Sequence, residues 1–302
     1  MSYFHLNLIL KGKLTVCCLL MLLVIPLNAQ REAKQIGDFK ESISLNEHLR
    51  GTKRTLQYRP DGDEFVCVNG KNRYTRALYG SHSPFRVETS DRPVFAFYNN
   101  GRGGNISFKV ILRDGTELAL DRTGYCESRY SAGKRTYYLT DPSWGKGELR
   151  ISVLALADMD GAIWRFSPSN MPKGAILRWQ HGGATGKRLS RNGDMGVDPA
   201  DCFELPAEAT DLVTGELALQ KEVYLVRGEV PEGYNVRKLY QQAEAASLAL
   251  ASHLKIETPD PYLNTLGGAL VAAADGIWDG QVWLHGAIGW YAVKWMEGRI
   301  YW

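Results

Sequence analysis

The sequence predicts a large β-sandwich followed by an α-helical linker and the opening of a second, helical region. Three observations predict it. Between residues 52 and 232, short segments rich in Val, Ile, Phe, Tyr and Thr recur between turn signals at the spacing of a sandwich. After Pro231-Glu232-Gly233 the apolar residues move to three- and four-residue steps, the period of a helix. The composition, 44% hydrophobic and 23% charged over 302 residues, is that of a globular chain with room for one large domain or two modest ones.

At the start, Lys11 and Lys13 precede an apolar run at 14–26, and Leu27-Asn28-Ala29 fits a small-residue cleavage site. Residues 1–29 are therefore expected to be a signal peptide and 30–51, mixed and polar, a leader segment. The apolar run is shorter than the roughly 20 residues that span a bilayer, so no stable membrane insertion is expected after cleavage. The expected destination is export, to the periplasm. Removing 1–29 leaves 34 basic and 33 acidic residues, a formal charge of +1. That balance gives no electrostatic footprint for nucleic acid or an anionic membrane surface. Cys67, Cys126 and Cys202 remain, an odd and widely spaced set that makes no zinc site and at most one disulfide. Buried free thiols are the favoured state.

Within 52–232, strands are expected at 56–58, 65–68, 94–98, 106–112, 116–120, 149–157, 162–166, 176–179 and 217–227. Ile106, Phe108, Val110 and Leu112 share one face by the two-residue period. Asp114-Gly115 makes the following pair a hairpin, and Asp158-Met159-Asp160-Gly161 turns the next. About a dozen strands imply two large sheets. The linker, 233–258, contains a helix at 235–254 with Leu239, Ala243, Ala246, Leu250 and Leu254 on one stripe and Asn235 as N-cap. Thr258-Pro259-Asp260-Pro261 ends it and starts a second helix over 262–278. In that helix Gly267-Gly268 and Ala272-Ala273-Ala274 form a small-residue face that lets another helix approach closely.

Several motifs fail on inspection. Gly182-Gly183-Ala184-Thr185-Gly186-Lys187-Arg188 lacks the first glycine and the Ser or Thr of a phosphate loop, and reads as a mobile loop. Asn100-Gly101-Arg102-Gly103-Gly104-Asn105 reads as a turn. The 158–161 segment starts like a calcium loop but lacks the later ligands, and no histidines stand at metal-ligand spacing, so neither metal nor cofactor is expected. Trp144, Trp164, Trp179, Tyr137 and Tyr138 could stack on sugar rings, although aromatics in strands are more often core.

The densest cluster of polar and aromatic residues comes last. Asp275 and Asp279 flank Trp278, and Trp283, His285 and Trp290 follow. Rings that stack and carboxylates that accept hydroxyl hydrogen bonds suit a polyhydroxylated ligand. Equally, tryptophans fill helical cores.

The order of exported signal, large sandwich, linker helix and "DPYLNTLGGALVAAADGIWDGQVWLHGAIGW" resembles glycoside hydrolases of the six-hairpin superfamily. It resembles in particular those in which an N-terminal domain of unknown function, here "RTLQYRPDGDEFVCVNGKNRYTRALYGSHSPFRVE", precedes the barrel. The similarity spans about residues 51–290, and "ADGIWDG" with "WLHGA" is its more specific part. The resemblance implies an (α/α)6 barrel in which a carboxylic acid protonates the glycosidic oxygen and, in inverting members, a second carboxylate activates water. Residues 259–302 would then be the incomplete start of that barrel. After Trp290 the family pattern gives way to "YAVKWMEGRIYW", which is expected to reflect a truncation or frameshift. No catalytic acid carries over to a residue of this sequence.

The function this implies is the N-terminal portion of an exported glycosidase acting on poly- or oligosaccharide, inactive without its barrel. Asp275, Asp279, Trp283, His285 and Trp290 would line its sugar pocket. The rival reading is a non-catalytic carbohydrate-binding or scaffold module. An exposed, half-built helix pair would also favour self-association.

Overall fold

The computed structural model describes residues 57–80, 82, 83, 85–99, 102–188 and 212–278. The expected signal peptide and leader, Cys202, Asp279, Trp283, His285 and Trp290 lie outside them. Cα packing divides the chain into two compact units, 57–256 with 265–302, and 1–56 with 257–264. In the second unit, the described residues form a small hydrogen-bonded turn. Asn264 accepts from the Thr258 N–H at 2.7 Å and donates to the Thr258 carbonyl at 2.9 Å.

The first unit is a two-sheet antiparallel sandwich. Its strands are β1 (Arg59–Asp61), β2 (Glu64–Val68), β3 (Arg76–Tyr79), β4 (Arg86–Thr89), β5 (Phe95–Asn99), β6 (Arg102–Ile111) and β7 (Glu117–Ala119). They continue with β8 (Tyr125–Ser131), β9 (Lys134–Thr140), β10 (Glu148–Ala155), β11 (Gly161–Ser169), β12 (Ile176–Arg188), β13 (Val213–Ala218) and β14 (Val223–Gly228). One sheet runs β1-β2-β8-β9-β10-β11-β14, the other β13-β12-β6-β5-β4-β3 with β7 beside β6.

Several expectations need correction. The single strand expected over 217–227 is two, β13 and β14, one in each sheet, because the chain turns at Leu219-Gln220 and crosses between sheets. The loop expected over 182–188 continues β12, with a register shift between Gly183 and Arg188 that absorbs the glycines. In the 100–105 segment, backbone pairing resumes at Arg102, opposite Asn99, so Gly103, Gly104 and Asn105 belong to β6. The first strand lies at Arg59–Asp61 rather than 56–58. The Asp114-Gly115 turn stands as expected: Gly115 takes φ +85° and the Thr116 N–H donates to the Asp114 carboxylate at 2.9 Å.

Large side chains fill the space between the sheets. Trp164 on β11 is fully buried and meets Phe95 and Phe97 edge to face at centroid distances of 5.6 and 5.7 Å. Phe108 lies 6.0 Å from the same ring. Such pairs add about 0.5–1.5 kcal/mol each beyond area burial. Farther along the interior the filling is polar. Asp91 and Arg135 are both fully buried, with Nη2 3.5 Å from the carboxylate. Asp91 also accepts from the Tyr58 hydroxyl and, at 2.9 Å, from the Asn72 N–H, while Arg135 donates to Ser128 Oγ at 3.0 Å. Buried charges persist only with such partners. Cys67 and Cys126 are buried free thiols, as expected, and burial pushes Cys126 up to about 12.

Two helices follow. α1 (Val236–Ala251) starts at Asn235, whose side chain accepts from the Lys238 N–H at 3.0 Å, the expected cap. Its Leu239, Tyr240 and Ala243 pack on Leu154, Leu156 and Ile163, the outward residues of β10 and β11 and the connection after β10. Arg165 lies 4.4 Å over the Tyr240 ring, and Lys134 meets Glu244 at 3.2 Å. α2 (Pro261–Gly276) realises the small-residue face. A Cβ on Gly267 would lie 2.7 Å from the Leu254 carbonyl, which only glycine allows, and one on Gly268 would press on the Ala251 Cβ at 3.1 Å.

Candidate functional site

The close approach of α2 leaves a cavity of about 210 Å³ between α1, α2, β3 and the C-terminal end of β10. Small residues make it. Ala243 and Ala246 of α1, Ala272 of α2, and Ala132-Gly133 in the β8–β9 turn line its walls. Gly133 takes φ +83° to make that turn, and Ser247 of α1 donates its hydroxyl to the Ala132 carbonyl, which pins the turn to the helix.

Polar groups converge on this alanine-lined space. Asp275, in the last turn of α2, and His82, in the connection after β3, pair at 3.2 Å, Nε2 to Oδ1. Both side chains keep partial solvent access, 34% for Asp275 and 48% for His82. The pair therefore stands at the mouth. Tyr79 and Tyr130 supply phenols deeper in, each held protonated by a pKa raised through burial. The Gly133 N–H donates to the Tyr130 hydroxyl at 3.4 Å. A neutral phenol both donates and accepts, as does a sugar hydroxyl.

The local sequence explains each position. Tyr79 sits at the end of β3, and Gly80 lets the chain pass over the backbone of Leu156, where a Cβ would come within 1.8 Å of the carbonyl oxygen. That passage delivers His82 to the cavity. At the other wall, Gly276 presses on the Tyr79 ring, where a Cβ would lie 2.1 Å away, so helix end and phenol are in direct contact.

Of the residues expected to bind sugar, Asp275 lines this cavity. The stacking candidates on the sandwich do not. Trp144, Trp164 and Tyr137 are buried core, and Trp179 is 9% exposed under the Arg227 guanidinium at 5.1 Å. Tyr138 is exposed on the outer face, where Arg129 and Arg150 lie over its ring at 5.7 and 5.3 Å. His82, Tyr79 and Tyr130 were not singled out. His82 is 193 residues from Asp275, and no spacing rule links the two.

Asp275 is the one carboxylate among the described residues lining the cavity. It can accept hydrogen bonds from hydroxyls and orient His82. Two-acid hydrolysis requires a second carboxylate. No cluster of metal-binding side chains occurs among the described residues.

Residues 100–230 match the family described as Domain of unknown function (DUF4450). The match takes in β6 to β14 and hence one wall of the cavity, Tyr130 to Gly133 and Leu154 to Ala157. It ends before α1. His82 and Asp275 both lie outside the DUF4450 region, so the mouth is assembled from segments on either side of it. No curated protein matches the sequence.

Proposed function

We propose that this chain is the sandwich and first helices of an exported carbohydrate-active protein of the six-hairpin glycosidase type, and that the α1/α2 cavity takes one sugar unit. The carrying observation is the meeting of Asp275 with His82 over a cavity backed by two neutral phenols. The cavity is smaller than the ~300–1,000 Å³ of drug-sized sites, which suits a single ring rather than an extended ligand. The docking of α2 on the end of α1 through Gly268, and on the segment after it through Gly267, supports the assignment of α2 as the first helix of a helical barrel.

A second reading draws on the single carboxylate. With one acid in the described cavity, the site supports binding without cleavage, as in a carbohydrate-binding module. In either case the partner is a carbohydrate.

Isothermal titration of the whole chain with a panel of monosaccharides and short oligosaccharides tests the proposal. The expected result is micromolar affinity for at least one sugar, reduced tenfold or more by Asp275→Asn and by His82→Ala. Absence of sugar binding, or affinity indifferent to both substitutions, refutes the assignment of the cavity. Release of reducing ends by wild type but not by Asp275→Asn selects hydrolysis over binding alone.

A further inference from the structure

The turn between β10 and β11 makes a contact that its own hairpin does not require. The Leu156 N–H donates to the Gly161 carbonyl at 2.8 Å and closes the turn. Asp160, inside it, is held by its backbone. Its carbonyl accepts from the Glu229 N–H at 2.7 Å, and a Cβ on Gly228, which takes φ +128°, would lie 2.3 Å from the same oxygen. With the main chain fixed in this way, the Asp160 carboxylate reaches Ser83, 77 residues earlier in the β3–β4 connection, and accepts from its hydroxyl through Oδ1. A hydroxyl on a carboxylate is among the stronger hydrogen bonds a side chain makes.

Ser83 passes that hold along the connection. Its oxygen accepts from the Phe85 N–H at 3.2 Å, and the buried Phe85 packs against Phe97 with ring centroids 6.0 Å apart. On the other side of His82, Gly80 lies against the Leu156 carbonyl, at the opposite end of the same turn. His82 therefore sits between two ties to one turn, and from there its ring meets Asp275 at 3.2 Å. An exposed side chain on an untied connection would lose backbone and rotamer freedom in making such a pair. Here folding has already fixed the segment, and the mouth is preorganised for a ligand.

We infer that Asp160 is a positioning residue of the cavity mouth, holding His82 against Asp275 through Ser83. The segment Asp158-Met159-Asp160-Gly161, an incomplete calcium loop by sequence, thus uses its second aspartate as a hydrogen-bond acceptor for a distant connection. Asp160 belongs to the DUF4450 region while His82 and Asp275 lie on either side of it, so through this contact that region sets the geometry of a mouth it does not itself supply. The inference rests on the reading of the α1/α2 cavity as a ligand site, and its test separates the two.

Nuclear Overhauser contacts between the His82 ring protons and the last turn of α2, measured on the unliganded full chain, test it. The expected outcome is a contact present in wild type, lost in Asp160→Ala and in Ser83→Ala, and kept in Asp160→Asn, whose amide oxygen still accepts from Ser83. Persistence of the contact in Asp160→Ala, or its absence from wild type, overturns the inference. So does equal loss in Asp160→Asn and Asp160→Ala, the sign of a turn that merely needs its native residue. Should Asp160→Ala not fold, Ser83→Ala decides the question in the same way. Calorimetric titration with the sugar panel supplies the second arm: Asp160→Ala is expected to weaken binding about as much as His82→Ala, and combining the two to add less than about twofold, whereas additive losses overturn it. If no sugar binds while the contact depends on Asp160, the cavity assignment fails and the positioning stands. If sugar affinity falls in Asp275→Asn and not in Asp160→Ala, the cavity stands and the positioning is overturned.

Discussion

The two apolar layers of this protein are packed in opposite ways. Between the sheets, Trp164, Phe95, Phe97 and Phe108 fill the space with large rings in edge contact. Under the helices, Ala243, Ala246, Ala272 and Gly133 line a space that stays open at about 210 Å³. Both layers bring apolar surface out of water, but only the second keeps room for a ligand. Aromatic residues in this chain therefore mark rigidity, and small ones mark the place where something can enter. The buried Trp144, Trp164 and Trp179 follow the commoner reading of aromatics in strands, as core.

Removing the filling of the first layer should have the largest effect. Trp164→Ala is expected to destabilise by about 3–5 kcal/mol, as large-to-small core changes do, while leaving the proposed sugar affinity at the helical cavity intact in the folded fraction. Denaturant unfolding with parallel calorimetry measures both. A loss of affinity as large as the loss of stability would mean that the layers are not separable.

Acid should weaken the first layer selectively. His181, at centroid distance 5.0 Å from Phe97, accepts from Arg227 Nε at 3.0 Å on Nδ1. Burial first, and the Arg227 charge second, lower its pKa from 6.5 to about 4. The unfolded chain thus takes up a proton that the folded chain refuses. Stability from this group is complete above pH 6.5 and declines as pH falls toward 4, by up to about 3 kcal/mol. His181→Phe should flatten that decline in thermal melts at pH 4, 5, 6 and 7. An unchanged pH dependence would contradict the buried neutral histidine.

The smallest effect tests the anchoring of the second layer. Asn235→Ala removes the cap of α1 and should cost about 1 kcal/mol, with faster amide exchange in the first turn of α1 and little change between the sheets. Uniformly faster exchange would show that helix and sandwich unfold as one.

What was legible in the sequence follows from pattern strength. β10 runs apolar and the second half of β6 alternates, so both are legible, and α1 shows itself by its stripe and Asn235. The β8–β9 hairpin escaped because its interior-facing positions include Arg135 and Ser128, polar residues that break the alternation and are stabilised by Asp91 and Cys67 from distant segments. The turn between β13 and β14, Leu219-Gln220, carries neither glycine nor proline, so two strands read as one. Gly267-Gly268 did announce a close helix contact, because only a missing Cβ permits one. For the site, Asp275 was visible as a carboxylate at a helix end. His82 was not, because its contact with Asp275 spans 193 residues of sequence.

The most direct measurement fills the cavity without touching its polar mouth. Ala272→Leu places a larger apolar side chain in the space between α1 and α2 while leaving Asp275 and His82 in sequence. The account predicts that wild type binds sugar by calorimetry, and that Ala272→Leu keeps a thermal midpoint equal to or above wild type and loses that binding. Full affinity in a folded Ala272→Leu protein would contradict it.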